Sequence, residues 1–268
     1  MRDLQGKVAA VTGAGSGIGR ALAAQLAREG CSLALADIDE AGLDKTFAQI
    51  ADATQAKTFR VDVSDRQRVY RFADEVVDAF GKVDVVINNA GVQLKETLED
   101  VTYEDLNWLM GINLYGVIYG SKAFLPHLKK QPLANLVNVS SVQGFFTNPN
   151  SGPYCISKFA VRAFTMTLAQ ELRGTSVKVS CVYPGGVETN IVRNERFHKV
   201  SRTDISKEDE VALFERYIVW TSAERAARII VKGIKKNKQR ILVGPDAYFY
   251  DIIARIAPMI WQHLLSRM

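Results

Sequence analysis

The chain is expected to be an α/β protein, a doubly wound parallel sheet of about seven strands in a single domain spanning residues 1–268. Three observations predict this. Short apolar runs alternate with longer helix-periodic stretches, the pattern of parallel strands joined by right-handed helical crossovers. The apolar runs are continuous rather than alternating, so the sheet is covered on both faces. No composition break, internal repeat or low-complexity linker marks a second domain.

The first strand covers residues 7–12, with Val8, Ala9, Ala10 and Val11 as its body. A glycine-rich turn follows, then an apolar-periodic helix to about residue 29. Residues 32–36 form a second strand, 40–50 a helix, 57–61 a third strand and 66–80 a helix. The fourth strand is 83–87, followed by a long helical region over 103–127. Residues 135–139 are the fifth strand, 154–172 a helix, 178–182 the sixth strand and 241–243 the seventh. In such a sheet, ligands bind at the carboxyl ends of the strands.

Composition excludes several classes. Of 268 residues, 47% are hydrophobic and 24% charged, which suits a globule with an ample core. A net charge of +5, from 34 basic and 29 acidic residues, is not gathered into a run, so nucleic acid is not an expected partner. Cys31, Cys155 and Cys181 are scattered, as are His127, His198 and His263, so no metal site or disulfide framework is expected. A reducing compartment fits, and with no signal peptide or membrane-length run a cytoplasmic location is expected.

The first turn reads Thr12-Gly13-Ala14-Gly15-Ser16-Gly17-Ile18-Gly19 between a strand and a helix. Glycines let backbone approach a pyrophosphate, and a helix N-terminus supplies N–H donors and a favourable dipole. A tight turn that binds nothing is the plain alternative. In this strand-turn-helix context the turn points to a Rossmann-type dinucleotide site. Asp37 ends the second strand, where an acid holds a ribose 2′-hydroxyl. Ile38 and Asp39 follow, with no Lys or Arg in the turn, so a 2′-phosphate meets negative charge. NAD is therefore favoured over NADP.

Tyr154 and Lys158 stand four residues apart in a helical stretch, on one face. An ammonium beside a phenol lowers the phenol pKa and makes it a proton-exchanging group. Alone the pair means little, since this spacing is common and is far more often a solvated helix face.

With these motifs in order along nearly the whole chain, the sequence resembles the short-chain dehydrogenase/reductase family. Gly13, Gly17 and Gly19 match its Thr-Gly-x-x-x-Gly-x-Gly turn, with Ser16 and Ile18 between them at the cofactor. Asp62-Val63 resembles its adenine-contacting pair, and Asn88-Asn89-Ala90-Gly91 the motif lying along the cofactor. Asn113 stands at the position of the catalytic asparagine. Ser141, thirteen residues before Tyr154, matches the catalytic serine better than Ser140 does. Pro184-Gly185-Gly186-Val187-Glu188-Thr189 resembles the segment that closes over the nicotinamide, with Thr189 on the carboxamide.

The resemblance implies hydride transfer between a nicotinamide and a secondary alcohol or ketone. Tyr154 is the expected acid/base, Ser141 orients the carbonyl oxygen, Lys158 lowers the tyrosine pKa and holds the nicotinamide ribose, and Asn113 fixes a water. Reduction of a 3-oxoacyl thioester is the alternative chemistry, and a nucleotide-binding scaffold or sensor the alternative class. The intact set of four argues against the latter. Gln93, Leu94, Gln143, Phe145, Phe146 and Asn150 are candidate pocket residues, the phenylalanines hinting at an apolar substrate. Residues 190–220 correspond to the family's substrate lid. Arg193, Arg196, His198, Lys199 and Arg202 there are either an anion-attracting cluster or a solvated surface.

A homotetramer or homodimer is also implied, paired through the helices near 103–127 and 154–172. Trp108, Val117, Phe124, Phe159 and Phe164 exceed what one face against the sheet needs. The tail, 246–268, carries Tyr248, Phe249, Tyr250, Ile252, Ile253, Ile256, Met259, Ile260, Trp261, Leu264 and Leu265. Asp251, Arg255, Arg267 and Pro258 argue against a membrane span. So wide an apolar surface is expected to dock on protein within the oligomer, a lipid surface being the alternative.

Overall fold

The computed structural model describes residues 3–197 and 206–257. In chain order the elements begin β1 (Val8–Thr12), α1 (Gly17–Arg28), β2 (Ser32–Asp37), α2 (Glu40–Ala48), β3 (Ala56–Arg60) and α3 (Arg66–Phe80). Next come β4 (Val85–Asn88), β5 (Leu94–Lys95), α4 (Tyr103–Met110), a π-helical turn (Gly111–Tyr115), α5 (Gly116–Leu128) and β6 (Ala134–Val139). A 3-10 turn (Val142–Gly144), α6 (Gly152–Glu171), β7 (Val177–Pro184) and β8 (Arg196–Phe197) follow. The last are α7 (Lys207–Tyr217), α8 (Ala223–Lys235), β9 (Arg240–Val243) and α9 (Pro245–Ile256).

Seven strands form one parallel sheet in the order β3-β2-β1-β4-β6-β7-β9. Side chains alternate across it, so each strand feeds two cores. In β1, Ala9 and Val11 join Leu22 and Leu26 of α1 and Ile230 and Ile234 of α8. Val8 and Ala10 join Val69, Phe72 and Val76 of α3 and Phe124 and Leu128 of α5. Phe72 centres this second layer, edge-on to Phe59 at 5.1 Å and Phe124 at 5.4 Å. Both faces are therefore dry, as the unbroken apolar strands require. Strand order reverses between β1 and β4, which opens a crevice at their carboxyl ends.

Several polar side chains inside this fold are paired with one another. Asn88 Nδ2 donates to Asn138 Oδ1 at 2.8 Å and to Ser121 Oγ at 3.2 Å. Asn138 Nδ2 continues to Thr165 Oγ1 at 3.1 Å. This ladder ties β4 and β6 to α5 and α6 directly beneath the crevice. At the opposite end of the sheet, buried Asp84 accepts from Val8 N at 2.9 Å and from Lys7 Nζ at 3.0 Å.

The structure departs from the sequence-based expectation in several places. The helical region over 103–127 is not one α-helix, because the π-helical turn interrupts it and seats Asn113 inward, fully buried. Val117 and Phe124 are not surplus apolar residues; both are core. Trp108 is partly buried against the Leu94, Leu109 and Tyr154 cluster, while Phe159 is 36% exposed. The two-residue ladder of β5 with β8 and the amphipathic helix α8 were not anticipated.

The described part of the tail forms α9. Ala247 is buried, and Tyr250 packs on Phe146 with ring centroids 4.5 Å apart. Tyr248, Phe249, Ile252 and Ile256 remain exposed. Met259, Ile260, Trp261, Leu264 and Leu265 lie outside the described residues. Among the described residues no helix is long and apolar enough to cross a membrane.

Replacing Asn88 by Ala removes the donor to Asn138 Oδ1 and Ser121 Oγ and leaves these two only their own 3.4 Å hydrogen bond in a dry interior. The variant is expected to lose about 2 kcal/mol of unfolding free energy in urea titration. An unchanged midpoint would contradict a structural role for the ladder.

Candidate active site

The carboxyl ends of the strands open on one cleft of about 880 Å³. Gly13 after β1, Asp37 at the end of β2, Asp62 and Val63 after β3, Asn89, Ala90 and Gly91 after β4, Ser141 after β6 and Pro184 at the end of β7 all line it. So do Ser16, Gly17, Ile18, Tyr154, Lys158, Gly185, Val187 and Thr189. Of the catalytic and cofactor-binding residues expected from sequence, Gly19 and Asn113 are the two that do not line it.

The turn after β1 is built for close approach. Gly13 has φ of 67°, and a Cβ on it would lie 2.8 Å from Ala90 Cα. A Cβ on Gly19 would overlap the Gly13 carbonyl, so helix α1 can begin beneath the turn only with glycine there. Ser16, at the N-cap of α1, makes no side-chain bond to the helix, and no acid sits in the first turn. The first N–H groups of α1 are thus left to an anion from the cleft. Thr12 joins this turn to the loop after β4. Its hydroxyl accepts from Asn89 N at 3.0 Å and Ala90 N at 3.1 Å, while Asn89 Nδ2 donates to Thr12 O at 3.0 Å.

Asp37 faces the same turn, its Oδ2 accepting from Gly15 N at 2.8 Å. Ile38 beside it is 58% exposed, and Asp39 and Asp62 line the same end of the cleft. Arg20 is held by the Gly15 carbonyl and donates to Thr46 Oγ1 at 3.0 Å. Arg60, opposite Asp37 in the ladder, reaches Glu40 at 3.6 Å. Among the described residues no cation lines this end.

At the other end, α6 presents Tyr154 and Lys158, both buried. The Ser141 hydroxyl hydrogen-bonds the Tyr154 hydroxyl and also accepts from Gln143 N at 3.2 Å. Neighbouring Ser140 does something else: it donates to the Lys158 carbonyl at 2.8 Å and so fastens α6 to the end of β6. Lys158 Nζ lies 5.5 Å from the Tyr154 ring centre and donates to Val139 O at 3.3 Å.

Burial dominates the titration of both groups. It pushes the Tyr154 phenol up to about 12, against a smaller lowering by Ser141, and pushes the Lys158 ammonium down to about 8. The expectation that the lysine depresses the tyrosine pKa is not met in this state, because desolvation disfavours both charged forms. Tyr154 is a neutral phenol here, able to give a proton.

Asn113 makes three side-chain hydrogen bonds. Its Oδ1 accepts from Val92 N at 2.8 Å, and its Nδ2 donates to Val92 O at 2.9 Å and Ser157 Oγ at 3.2 Å. Both Nδ2 hydrogens are thereby used, while Oδ1 keeps a second lone pair that can accept from a water. The side chain locks the loop after β4 onto α6, with Gly91 between Asn113 and Lys158, since a Cβ there would lie 3.3 Å from each.

Beyond the tyrosine the cleft mixes apolar and amide side chains. Val142, Phe146, Ile191 and Leu213 line it, with Gln93, Gln143, Asn148 and Asn150. Phe145 does not line it; it stacks on Tyr183 at 4.4 Å in the core, and Leu94 is buried under Tyr154. Arg196 is no free anion receptor, because it donates to Asp105 at 2.8 Å and lies over the Trp108 ring at 3.8 Å. His198, Lys199 and Arg202 lie outside the described residues. Sequence reasoning weighs Ser140 only as the less well matched serine and assigns no role to the cleft-lining Asp246, which carries no motif signal.

The chain is similar to known proteins in sequence and in fold. The sequence profile described as short chain dehydrogenase matches residues 7–199. SadH of Mycobacterium tuberculosis, which carries the name of an oxidoreductase, is 40% identical over 273 residues, covering 99% of this chain and 96% of that protein. The 3-oxoacyl-acyl-carrier-protein reductase FabG of Thermotoga maritima is 36% identical over 188 residues, 69% of this chain and 76% of that protein. A crystal structure of a short-chain dehydrogenase/reductase from Burkholderia phymatum in complex with NAD superposes with a TM-score of 0.85 at 32% identity, covering 98% of this chain and 97% of that one.

Burying Lys158 has a measurable consequence. Its folded pKa, about 8, lies below the ordinary 10.5, so the ammonium opposes folding by on the order of 3 kcal/mol at neutral pH. Between those two values the unfolded chain binds the proton and the folded chain does not, so the penalty fades as pH rises. Lys158→Met is therefore expected to be more stable than the parent at pH 7, with the difference shrinking as pH rises toward 10.5. Equal urea midpoints at pH 7 would contradict this.

Proposed function

The chain belongs to the short-chain dehydrogenase/reductase family, and from that premise we propose that it interconverts a secondary alcohol and a ketone with NAD. The observation that carries this reading is the joint placement of the Tyr154–Ser141 pair and the glycine turn with Asp37 in one cleft. The residues fit a dinucleotide: Gly13 and Gly19 leave the backbone bare, and the uncapped start of α1 offers donors to a pyrophosphate. Asp37 would hold the adenosine ribose, and Lys158 the nicotinamide ribose. Asp62, Val63, Asn89, Ala90, Gly91, Pro184, Gly185, Val187 and Thr189 would complete the walls.

A nicotinamide bound there supplies or accepts the hydride. The chain's own residues manage the oxygen. In reduction the Ser141 hydroxyl donates to the substrate oxygen and fixes it beside Tyr154. The neutral Tyr154 phenol then delivers the proton as negative charge develops on that oxygen. Giving up that proton leaves a phenolate, which the Lys158 ammonium supports, and in oxidation this phenolate takes the proton of the alcohol. Asn113 acts by holding the Val92 peptide and α6 together, which keeps Gly91 and Lys158 in place.

Cofactor choice follows from charge. Asp37, Asp39 and Asp62 at the ribose end oppose a 2′-phosphate, and Arg20 is committed to the turn itself. The substrate end favours an uncharged, largely apolar ketone, with amides placed to orient polar substituents. Reduction of a 3-oxoacyl thioester is the second reading, supported by the partial likeness to a reductase of that class.

A panel of secondary alcohols, ketones and 3-oxoacyl thioesters, assayed with each cofactor by reduced-nicotinamide absorbance, tests the reading. Turnover of ketones with NAD(H) faster than with NADP(H) at limiting cofactor is expected. The double substitution Asp37→Ala, Ile38→Arg is expected to shift the preference toward NADP by about tenfold or more. Cofactor binding without turnover of any compound would favour a sensor or scaffold, and an NADP preference in the parent would overturn the cofactor assignment.

A further inference from the structure

Three segments meet at the peptide of Gly186. Its N–H donates to Asp246 Oδ2 at 2.6 Å. Its carbonyl accepts from Trp220 N at 3.0 Å and Thr221 N at 3.2 Å. The neighbourhood has no room for a side chain: a Cβ on Gly186 would overlap the Ile218 carbonyl, and one on Gly185 would overlap the Asp246 carboxylate. Two further bonds close the junction, Glu188 N to Thr221 O at 2.9 Å and Gly185 N to Val243 O at 3.0 Å. Gly185, Gly186, Ile218 and Asp246 all line the cleft.

An acid in the first turn of a helix ordinarily faces solvent and complements the helix dipole. Asp246 sits in the first turn of α9 but turns its carboxylate onto a peptide of another segment. A short bond from a peptide N–H to a carboxylate is among the stronger hydrogen bonds. We infer that Asp246 is a positioning residue whose carboxylate clamps the Gly186 peptide, coupling α9 and the chain at 218–221 to the segment that closes one end of the cleft. The consequence for NADH rests on the dinucleotide reading above; the coupling is a property of the ligand-free chain.

Hydrogen–deuterium exchange on the full chain tests the clamp, comparing the parent with Asp246→Ala and Asp246→Asn. NADH affinity by fluorescence and Tm by calorimetry are measured alongside. In the Ala variant, exchange over 184–189 and 218–221 is expected to quicken together by about tenfold, while β1 and β2 keep their protection. NADH affinity is expected to fall by a similar factor. Asn keeps a neutral acceptor, so its values fall between those of the parent and Ala. Parent-like exchange in both segments would overturn the inference, and so would quickening confined to α9 or spread evenly over the sheet with a lower Tm. Should the Ala variant fail to fold, Asn decides: exchange about threefold faster in both segments supports the clamp, and parent-like exchange overturns it. If the parent itself does not bind NADH, the dinucleotide reading fails, while exchange still judges the clamp.

Discussion

The hydroxyl of Thr12 joins the two loops on which the cleft is built. It sits at the end of β1 and accepts from the N–H groups of Asn89 and Ala90 after β4. These two strands are neighbours at the point where strand order reverses, so their following chains leave toward opposite faces. Without a tie the loops would diverge and the crevice would have no fixed width. Asn89 returns the bond to the Thr12 carbonyl, and Gly13 brings the two backbones nearly into contact. Beneath them the Asn88–Asn138–Thr165 ladder carries the same alignment through β6 to α6, which bears Tyr154 and Lys158.

The site is held at a cost in stability. Lys158 is a buried ammonium that donates to the Val139 carbonyl, and desolvation is the largest influence on its pKa. Asn113 commits three side-chain hydrogen bonds to a backbone loop and a serine, in a π-helical turn of the kind that recurs at functional sites. Such local sacrifices are stable only because two full hydrophobic layers flank the sheet. On the proposed reading, the same dry surroundings keep Tyr154 protonated until charge appears on a substrate oxygen, where a preorganised donor has its largest effect.

The sheet was legible because its strands are short, unbroken apolar runs, and the turn from Thr12 to Gly19 because only glycine permits its backbone approach. Asp37 was legible from its place at the end of β2. Less visible were features that depend on three-dimensional burial. The π-helical turn adds one residue to a helical turn and barely disturbs apolar periodicity over 103–127. Val117 and Phe124 looked surplus because the sequence does not display the second layer, centred on Phe72, that covers them. The Tyr154–Lys158 spacing correctly placed both groups on one face, yet spacing carries no measure of desolvation. Asp246 had no motif; its partner lies 60 residues away.

The central claim is that Tyr154 exchanges the proton at the substrate oxygen while other residues bind the cofactor. The most direct measurement compares kcat and NADH affinity for the parent and Tyr154→Phe, with the best ketone from the panel. Phe preserves the ring and removes only the exchangeable proton. The account predicts a fall in kcat of at least about a hundredfold, with NADH affinity unchanged within about a factor of two. A variant that keeps near-parental kcat would contradict it.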